Sequence, residues 1–137
     1  MRRILALAAL VLLGACNNEI DQSTRPEQLA GTYHLVTYGG TVLPVVVRSD
    51  SVRREVLSGQ LIVTTDGQWS EALSLKTSFK GNSSVDNVIS AGSWSNVREI
   101  AYMSFYDKVN GYSFSGTASG GTIVLNTVGG DQLVYRR

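Results

Sequence analysis

Apolar residues follow two different patterns along this chain, one before residue 16 and one after residue 30. Residues 4–13 are apolar without interruption, whereas from Gly31 onward apolar and polar residues alternate in short runs. Alternation with a period of two is typical of strands that bury one face, and an isolated apolar run near the start is typical of a targeting segment. The sequence therefore predicts a β-sheet domain preceded by a separate N-terminal segment.

Nine short strands are expected in the β domain, with turn residues between them. They comprise residues 32–38, 42–47, 56–65, 68–77, 90–95, 100–106, 112–119, 121–128 and 132–136. Asp66-Gly67 and Asn110-Gly111 suit the positive φ angles of tight hairpins, as do the Gly pairs at 120–121 and 129–130. Successive hairpins predict a meander, and closure removes its edges. The expected fold is all-β: a small closed up-and-down antiparallel β-barrel of about eight strands.

Three further segments carry weaker signals. Residues 26–30 could form one helical turn, residues 50–57 are a plausible short helix, and residues 85–88 read as a loop or an irregular strand. Gly59, Gly92 and Gly116 lie inside strands, where they mark either barrel corners or room for a ligand, and we favour corners.

The alternation also assigns side chains to the barrel interior. Trp69, Leu73 and Leu75 share one face of their strand, opposite Ser70, Ser74 and Lys76. A barrel formed by residues 31–137 is either filled by its own side chains or holds one small ligand. The candidate pocket residues are Tyr33, Leu61, Trp69, Leu73, Trp94, Tyr112 and Phe114.

The N-terminus has the features of a secretory signal peptide. Arg2 and Arg3 precede the apolar run, which is too short to span the ~30 Å hydrocarbon layer of a bilayer. Leu13-Gly14-Ala15-Cys16 resembles the lipobox of bacterial lipoproteins. The resemblance implies cleavage before Cys16 and acylation of its thiol, palmitate being one such acyl chain, with several chains giving stable anchoring. The alternatives are a buried N-terminal helix and an ordinary free thiol.

This assignment divides the chain into three parts. They are a signal peptide (1–15), a lipidated N-terminus with a flexible tether (16–30) and the barrel domain (31–137). Loss of Arg2 and Arg3 lowers Lys and Arg from 12 to 10 against 11 Asp and Glu, so the mature net charge is about −1. Asn17, in place of the Asp that favours inner-membrane retention in enteric bacteria, points to the outer membrane, with the protein facing the periplasm.

Few residues suggest catalysis or metal binding. The chain has one Cys and one His, lacks the common catalytic and phosphate-binding motifs, and shows no basic surplus for nucleic acid. His34 is expected to face outward. Glu71 shares the inward face of Trp69 and Leu73 if the strand continues past it, and then its carboxylate needs a partner such as Arg98 or a tyrosine hydroxyl. Alternatively, Glu71 lies at the end of the strand and faces water, which is the interpretation we favour. No enzyme activity and no cofactor is expected.

The domain resembles the lipocalin-like domains of small bacterial lipoproteins. The resemblance is carried by GTYHLV (31–36), GGTVLP (39–44), LSGQLIV (57–63), DGQWS (66–70), GSW (92–94) and LVYRR (133–137). It implies a small antiparallel barrel and no reaction. We expect a membrane-anchored, non-enzymatic protein whose function is to bind a small hydrophobic ligand. The alternative is an envelope protein-binding module or inhibitor, such as a lysozyme inhibitor, with a solidly packed barrel.

Replacing Cys16 with Ala removes the predicted acylation site. We expect the Cys16→Ala protein to leave the membrane fraction, because no acyl chain remains to anchor it. Fractionation and immunoblotting check this. A Cys16→Ala protein that still pellets with membranes contradicts the lipid anchor.

Overall fold

The structure, a computed structural model, describes residues 25–97 and 101–137. The signal peptide (1–15), Cys16, the tether before residue 25 and Arg98 lie outside the described residues, so the statements about them remain predictions. Within the described part of the chain, no helix has the length and apolar character needed to cross a membrane.

The described residues form one short helix and ten strands. In chain order they are α1 (Pro26–Leu29), β1 (Gly31–Tyr38), β2 (Thr41–Val42), β3 (Val45–Ser49), β4 (Arg53–Val63), β5 (Gln68–Phe79), β6 (Asn82–Val97), β7 (Tyr102–Asp107), β8 (Tyr112–Ser119), β9 (Thr122–Asn126) and β10 (Gln132–Arg136). The helical turn expected at residues 26–30 is present as α1.

The sheet closes because β1 pairs with a strand on each side. Strands β4 to β10 are neighbours in chain order, and β10 pairs with β1. The first half of β1 then pairs with the end of β4, from Gly31 opposite Val63 to His34 opposite Gln60. All these pairings are antiparallel. Eight strands therefore form a closed up-and-down barrel, as predicted, and the four predicted hairpin turns connect its strands.

Helix α1 closes one end of the barrel. Leu29 is only 3% exposed, and its carbonyl oxygen accepts a 2.7 Å hydrogen bond from the Tyr33 hydroxyl. The Arg137 guanidinium lies 4.9 Å from the centre of the Tyr33 ring and donates to the carbonyl oxygens of Gln28 and Ala30. The last residues of the predicted tether are thus packed against the barrel. Both the start of the domain, at α1, and its last residue, Arg137, lie at this closed end.

The predicted alternation of faces is present in the strands that build the core. Tyr33 and Leu35 are buried on either side of His34, which is exposed as expected. Buried hydrophobic side chains come from all eight barrel strands: Tyr33, Leu35, Val56, Leu61, Val63, Trp69, Trp94, Met103, Phe105, Ala118, Ile123, Leu125, Leu133 and Tyr135. Their burial supplies the main driving force for closure.

Strands β5 and β6 continue well beyond the rest of the barrel. They pair from Gln68 opposite Ser93 to Phe79 opposite Asn82, whereas β7 pairs with β6 only from Gly92 to Val97. Residues 82–89 of β6 are exposed. The loop or irregular strand expected at residues 85–88 is therefore wrong, because these residues belong to a long regular hairpin.

Two other expectations fail between β1 and β4. The predicted strand at residues 42–47 is two strands, since β2 pairs with β1 and β3 pairs with β4. Pro44, which has no N–H for a ladder, lies between them. The helix expected at residues 50–57 is also wrong. From Arg53 onward this segment is strand β4, held between β3 and β5, and Val56 is buried.

The three strand glycines are places of close packing. A Cβ on Gly59 would meet Leu35 and Leu73, and a Cβ on Gly116 would meet the carbonyl oxygen of Val124. At Gly92 a Cβ would lie 1.8 Å from the carbonyl oxygen of Tyr106. The space beside each glycine is therefore occupied by the protein itself and does not accommodate a ligand.

Gly92→Ala should destabilise the barrel strongly. The added methyl group meets backbone, which cannot move aside as a flexible side chain can, so we expect a loss of about 3 kcal/mol, at the upper end of overpacking costs. Urea unfolding measures it. Gly129→Ala is the matched control, because its Cβ has no neighbour nearer than the Thr127 hydroxyl oxygen at 3.8 Å. Equal stability of the two variants would contradict the packing at Gly92.

Candidate binding site

The barrel end opposite α1 contains a cavity in two connected parts. The inner cavity has a volume of about 40 Å³ and is lined by Trp69, Glu71, Ser90, Tyr112, Phe114, Leu125, Thr127 and Leu133. Above it lies the mouth, of about 470 Å³, which shares five of these residues and adds Tyr38, Leu73, Val88, Asn110, Val128, Gly129 and Asp131. The shared residues, Glu71 among them, form the boundary between the two parts.

Aromatic rings fill the barrel beneath the inner cavity. Trp69 meets Phe105 and Phe114 edge to face, with ring centres 5.8 and 5.4 Å apart, and the two phenyl rings stack at 5.0 Å. The Trp69 indole N–H donates to the carbonyl oxygens of Ser93 and Tyr106 at 3.1 and 3.2 Å. These contacts fix the rings, so the inner cavity has a rigid apolar floor.

Glu71 is a largely buried carboxyl group at the boundary between inner cavity and mouth. Strand β5 directs it inward between Trp69 and Leu73, and its Oε1 accepts a hydrogen bond from the Tyr135 hydroxyl on β10. Burial raises the pKa of Glu71, the Tyr135 hydrogen bond partly opposes this, and the charge of Asp107 adds to the increase. Burial and the neighbouring Glu71 together raise the pKa of Tyr135, which keeps its proton.

Asp107 ends β7 beside this site and is completely buried. Its Oδ1 accepts hydrogen bonds from the backbone N–H groups of Val109 and Asn110 at 2.8 and 2.9 Å, and Oδ2 accepts one from the Asn110 amide. Burial by itself raises the pKa of Asp107, but these hydrogen bonds and one from Ser90 outweigh it, so the pKa lies below its usual value. Asp107 therefore holds the β7–β8 turn as a carboxylate.

Tyrosines and valines surround the opening of the mouth. Tyr38 is hydrogen-bonded to Asp131, and burial followed by the Asp131 charge raises its pKa. Burial and the charges of Asp107 and Glu71 raise the pKa of Tyr112. Val88 is 47% exposed and Val128 70%. The opening thus combines apolar surface with phenol and carboxylate groups.

The described lining residues of the two parts include no Lys, Arg or His. Nor does the described part of the chain contain three His, Cys, Asp or Glu side chains grouped as metal ligands. With Glu71 and Asp131 in its lining and Asp107 beside it, the site offers negative charge, hydrogen-bond acceptors and aromatic side chains. This chemistry suits binding of a neutral or positively charged molecule.

The sequence-predicted pocket residues fall into two groups. Trp69, Tyr112 and Phe114 line the inner cavity, and Leu73 lines the mouth. The other three, Tyr33, Leu61 and Trp94, are buried in the core and do not line either part. Tyr33 and Leu61 face each other at the β1–β4 contact that closes the barrel. Ligand binding by any of the seven remains a prediction.

The expectation that Glu71 ends a strand in water is wrong. It lies within β5 and has a tyrosine hydroxyl as partner, the second of the two partners considered. Asp86 does not line the site: it is exposed, and its Oδ2 accepts a hydrogen bond from the Ser84 hydroxyl at 3.1 Å. Arg53 and Arg54 begin β4 and are exposed.

Tyr38 was missed because an irregularity in β1 changes the phase of its alternation. Leu35 faces Tyr135 across the β1–β10 ladder, but Thr37 faces Val134, so the register shifts between them. Tyr38 then lies opposite the buried Leu133 and faces inward, although strict alternation from Tyr33 sends it outward. The loop residues Asn110 and Asp131 were missed because loops carry no periodicity. Val128 was expected at the end of a strand, but β9 ends at Asn126 and Val128 lies in the turn that follows.

The sequence matches no protein-family model and no curated protein. The function has to be inferred from the residues of the site.

The raised pKa of Glu71 predicts a specific pH dependence of stability. A carboxyl group whose pKa is higher in the folded state favours folding at low pH, and this contribution is lost as pH rises through the folded-state value. Glu71→Gln should therefore leave the free energy of unfolding near that of the parent at pH 4 and raise it at pH 8. Urea unfolding at both pH values measures the difference.

Glu27→Gln is the control, because it removes the same charge from an exposed position on α1. It should change stability little at either pH. A Glu71→Gln protein that is less stable than the parent at pH 8 would contradict a buried, destabilising carboxylate.

Proposed function

We propose that this protein is a non-enzymatic lipoprotein of the bacterial cell envelope, whose lipocalin-like barrel binds a small, largely apolar molecule in its mouth. The observation that carries the proposal is the mouth itself. Its volume of about 470 Å³ lies within the range of roughly 300–1,000 Å³ that small-molecule sites occupy. Apolar side chains of Leu73, Val88, Val128 and Leu133 line it beside a few polar groups.

The depth of the site limits the size of the ligand. The inner cavity of about 40 Å³ has room for water molecules or one small polar group, since a water needs roughly 10–15 Å³ by this measure. A bulky ring or a long chain is therefore held in the mouth, with no more than a small group reaching below Glu71. This supports shallow binding and argues against a ligand enclosed in the barrel centre.

The arrangement of the barrel suits a lipid anchor at Cys16. The chain enters at α1, on the end opposite the mouth. Residues 17–25 reach at most about 30 Å when fully extended. An acylated Cys16 would hold the closed end near the membrane and leave the mouth open to the periplasm, which favours capture of molecules from that compartment.

Two substitutions on opposite faces of one strand test the proposal. Val88 lines the mouth, whereas Ile89, 62% exposed, points to the other face of the β5–β6 hairpin. A Val88→Trp side chain fills the mouth, so we expect the fraction of protein carrying a small molecule to fall at least about tenfold. Ile89→Trp adds the same bulk outside and should keep it. Native mass spectrometry of protein extracted from membranes in mild detergent measures the bound fraction.

Parent protein that carries no small molecule would contradict the proposal. So would Val88→Trp protein that carries as much as the parent, since the mouth would then not be the site.

A protein-binding module or inhibitor is the second candidate. The observation that favours it is the exposed apolar pair Val85 and Ile89 on the outer face of the hairpin. Exposed apolar surface of this kind often marks contact sites for other proteins. The same two variants separate the candidates, because here Ile89→Trp disrupts binding and Val88→Trp does not. A lysozyme inhibition assay tests the inhibitor version directly.

A further inference from the structure

The acidic groups at the site lack a cation among the residues that line it. Glu71 and Asp131 line the mouth, Asp107 is buried next to it, and the described lining contains no Lys, Arg or His. Of these three, Glu71 is the one whose charged form is disfavoured by burial, since Asp107 is held as a carboxylate by its hydrogen bonds and Asp131 is exposed. Tyr135 supplies one hydrogen bond to Glu71 but no positive charge. A ligand that brings positive charge would therefore relieve an unfavourable arrangement that the fold maintains.

Aromatic side chains border the same cavity as Glu71. Trp69, Tyr112 and Phe114 line the inner cavity together with Glu71. The negative face of an aromatic ring attracts a cation, most strongly where water is excluded. The Ser90 and Thr127 hydroxyls in the same lining add acceptors for N–H groups. Carboxylate, rings and hydroxyls thus converge on one small volume.

We propose that the ligand is a primary amine with an apolar remainder, whose ammonium group pairs with Glu71 in the inner cavity while the remainder lies in the mouth. This inference rests on the proposed function, because it names the chemistry of the molecule bound at that same site. The ammonium group donates three hydrogen bonds and is compact enough for a cavity of about 40 Å³. A quaternary ammonium group has no N–H to donate to Glu71.

Other head groups fit the site less well. A carboxylate or phosphate would lie against Glu71 and Asp131 with no basic side chain in the described lining to offset the repulsion. An alcohol can donate one hydrogen bond to the Glu71 carboxylate but leaves its charge without a counterion. An ammonium group brings both the hydrogen-bond donors and the opposite charge, so the amine should be preferred over both.

Three probes of equal chain length test this preference: hexylamine, 1-hexanol and hexanoate. Each is titrated into the full-length protein in detergent at pH 8, and the heat measured with protein-free micelles is subtracted. We expect hexylamine to bind at least about tenfold more tightly than 1-hexanol, and hexanoate to bind most weakly. Glu71→Gln should reduce the ratio of hexylamine to hexanol affinity about tenfold, whereas the Glu27→Gln control at the closed end should keep it.

The pH dependence of binding adds a second readout, because a structural disturbance of the site by Glu71→Gln would not reproduce it. The groups facing Glu71 are Tyr135 on β10, Tyr112 on β8, Tyr38 on β1 and Asp107 at the end of β7, with Asp131 beside Tyr38. The pKa values of the three tyrosines are raised, so they stay protonated below pH 8, and that of Asp107 is lowered. The preference for hexylamine should therefore fall from pH 8 to pH 4 as Glu71 gains a proton, and Glu71→Gln should remove this change.

The outcomes separate the two proposals. If none of the three probes binds, the proposed function fails and this inference fails with it. If 1-hexanol or hexanoate binds as tightly as hexylamine, the mouth binds small molecules but the amine inference is overturned. An amine preference that persists unchanged in Glu71→Gln would also overturn it, because Glu71 would then not be the partner.

Discussion

The short ladder between β1 and β4 is the contact on which the rest of the structure depends. Four residue pairs, from Gly31–Val63 to His34–Gln60, turn an open meander into a closed barrel. Closure removes two exposed sheet edges, and it places Tyr33 where Leu29 and Arg137 can complete the closed end. After His34 the two strands separate, and β2 and β3 pair with them individually. The same contact therefore makes one end tight and leaves the other wide.

This difference between the two ends explains why the candidate site lies where it does. Toward α1 the interior is filled by Tyr33, Leu61 and their neighbours, and beneath the inner cavity by stacked aromatic rings. Toward the mouth the strands diverge and tyrosines, carboxylates and loop residues replace the apolar core. Glu71 lies at the transition, where burial is already sufficient to raise its pKa. Carboxyl groups whose pKa is raised by burial occur more often at functional sites than elsewhere in a protein.

The β5–β6 hairpin shows how one element can present two surfaces. Inside the barrel β6 has a dry face and a wet face, so burial alternates clearly from Ser90 to Ser95 around Trp94. Beyond the barrel both faces of residues 82–89 are exposed, and the apolar residues there are Val88 on the mouth face and Val85 and Ile89 on the outer face. Val88 belongs to the mouth and Ile89 to the outer surface although they are adjacent in sequence, because neighbouring side chains of a strand point to opposite faces.

The sequence by itself determined the β class, the antiparallel meander, its closure and most of the inward side chains, because alternation and Gly-containing turns are local properties. It could not determine the length of β6, since a strand with two wet faces has no alternation to detect. It could not assign residues 53–55 to β4, where pairing with β3 and β5 overrides the local helical signal. The tertiary structure also decides that Tyr38 faces inward and that Glu71 is largely buried. A register shift against β10 turns Tyr38 inward, and the Tyr135 hydroxyl on β10 reaches Glu71 across the barrel interior.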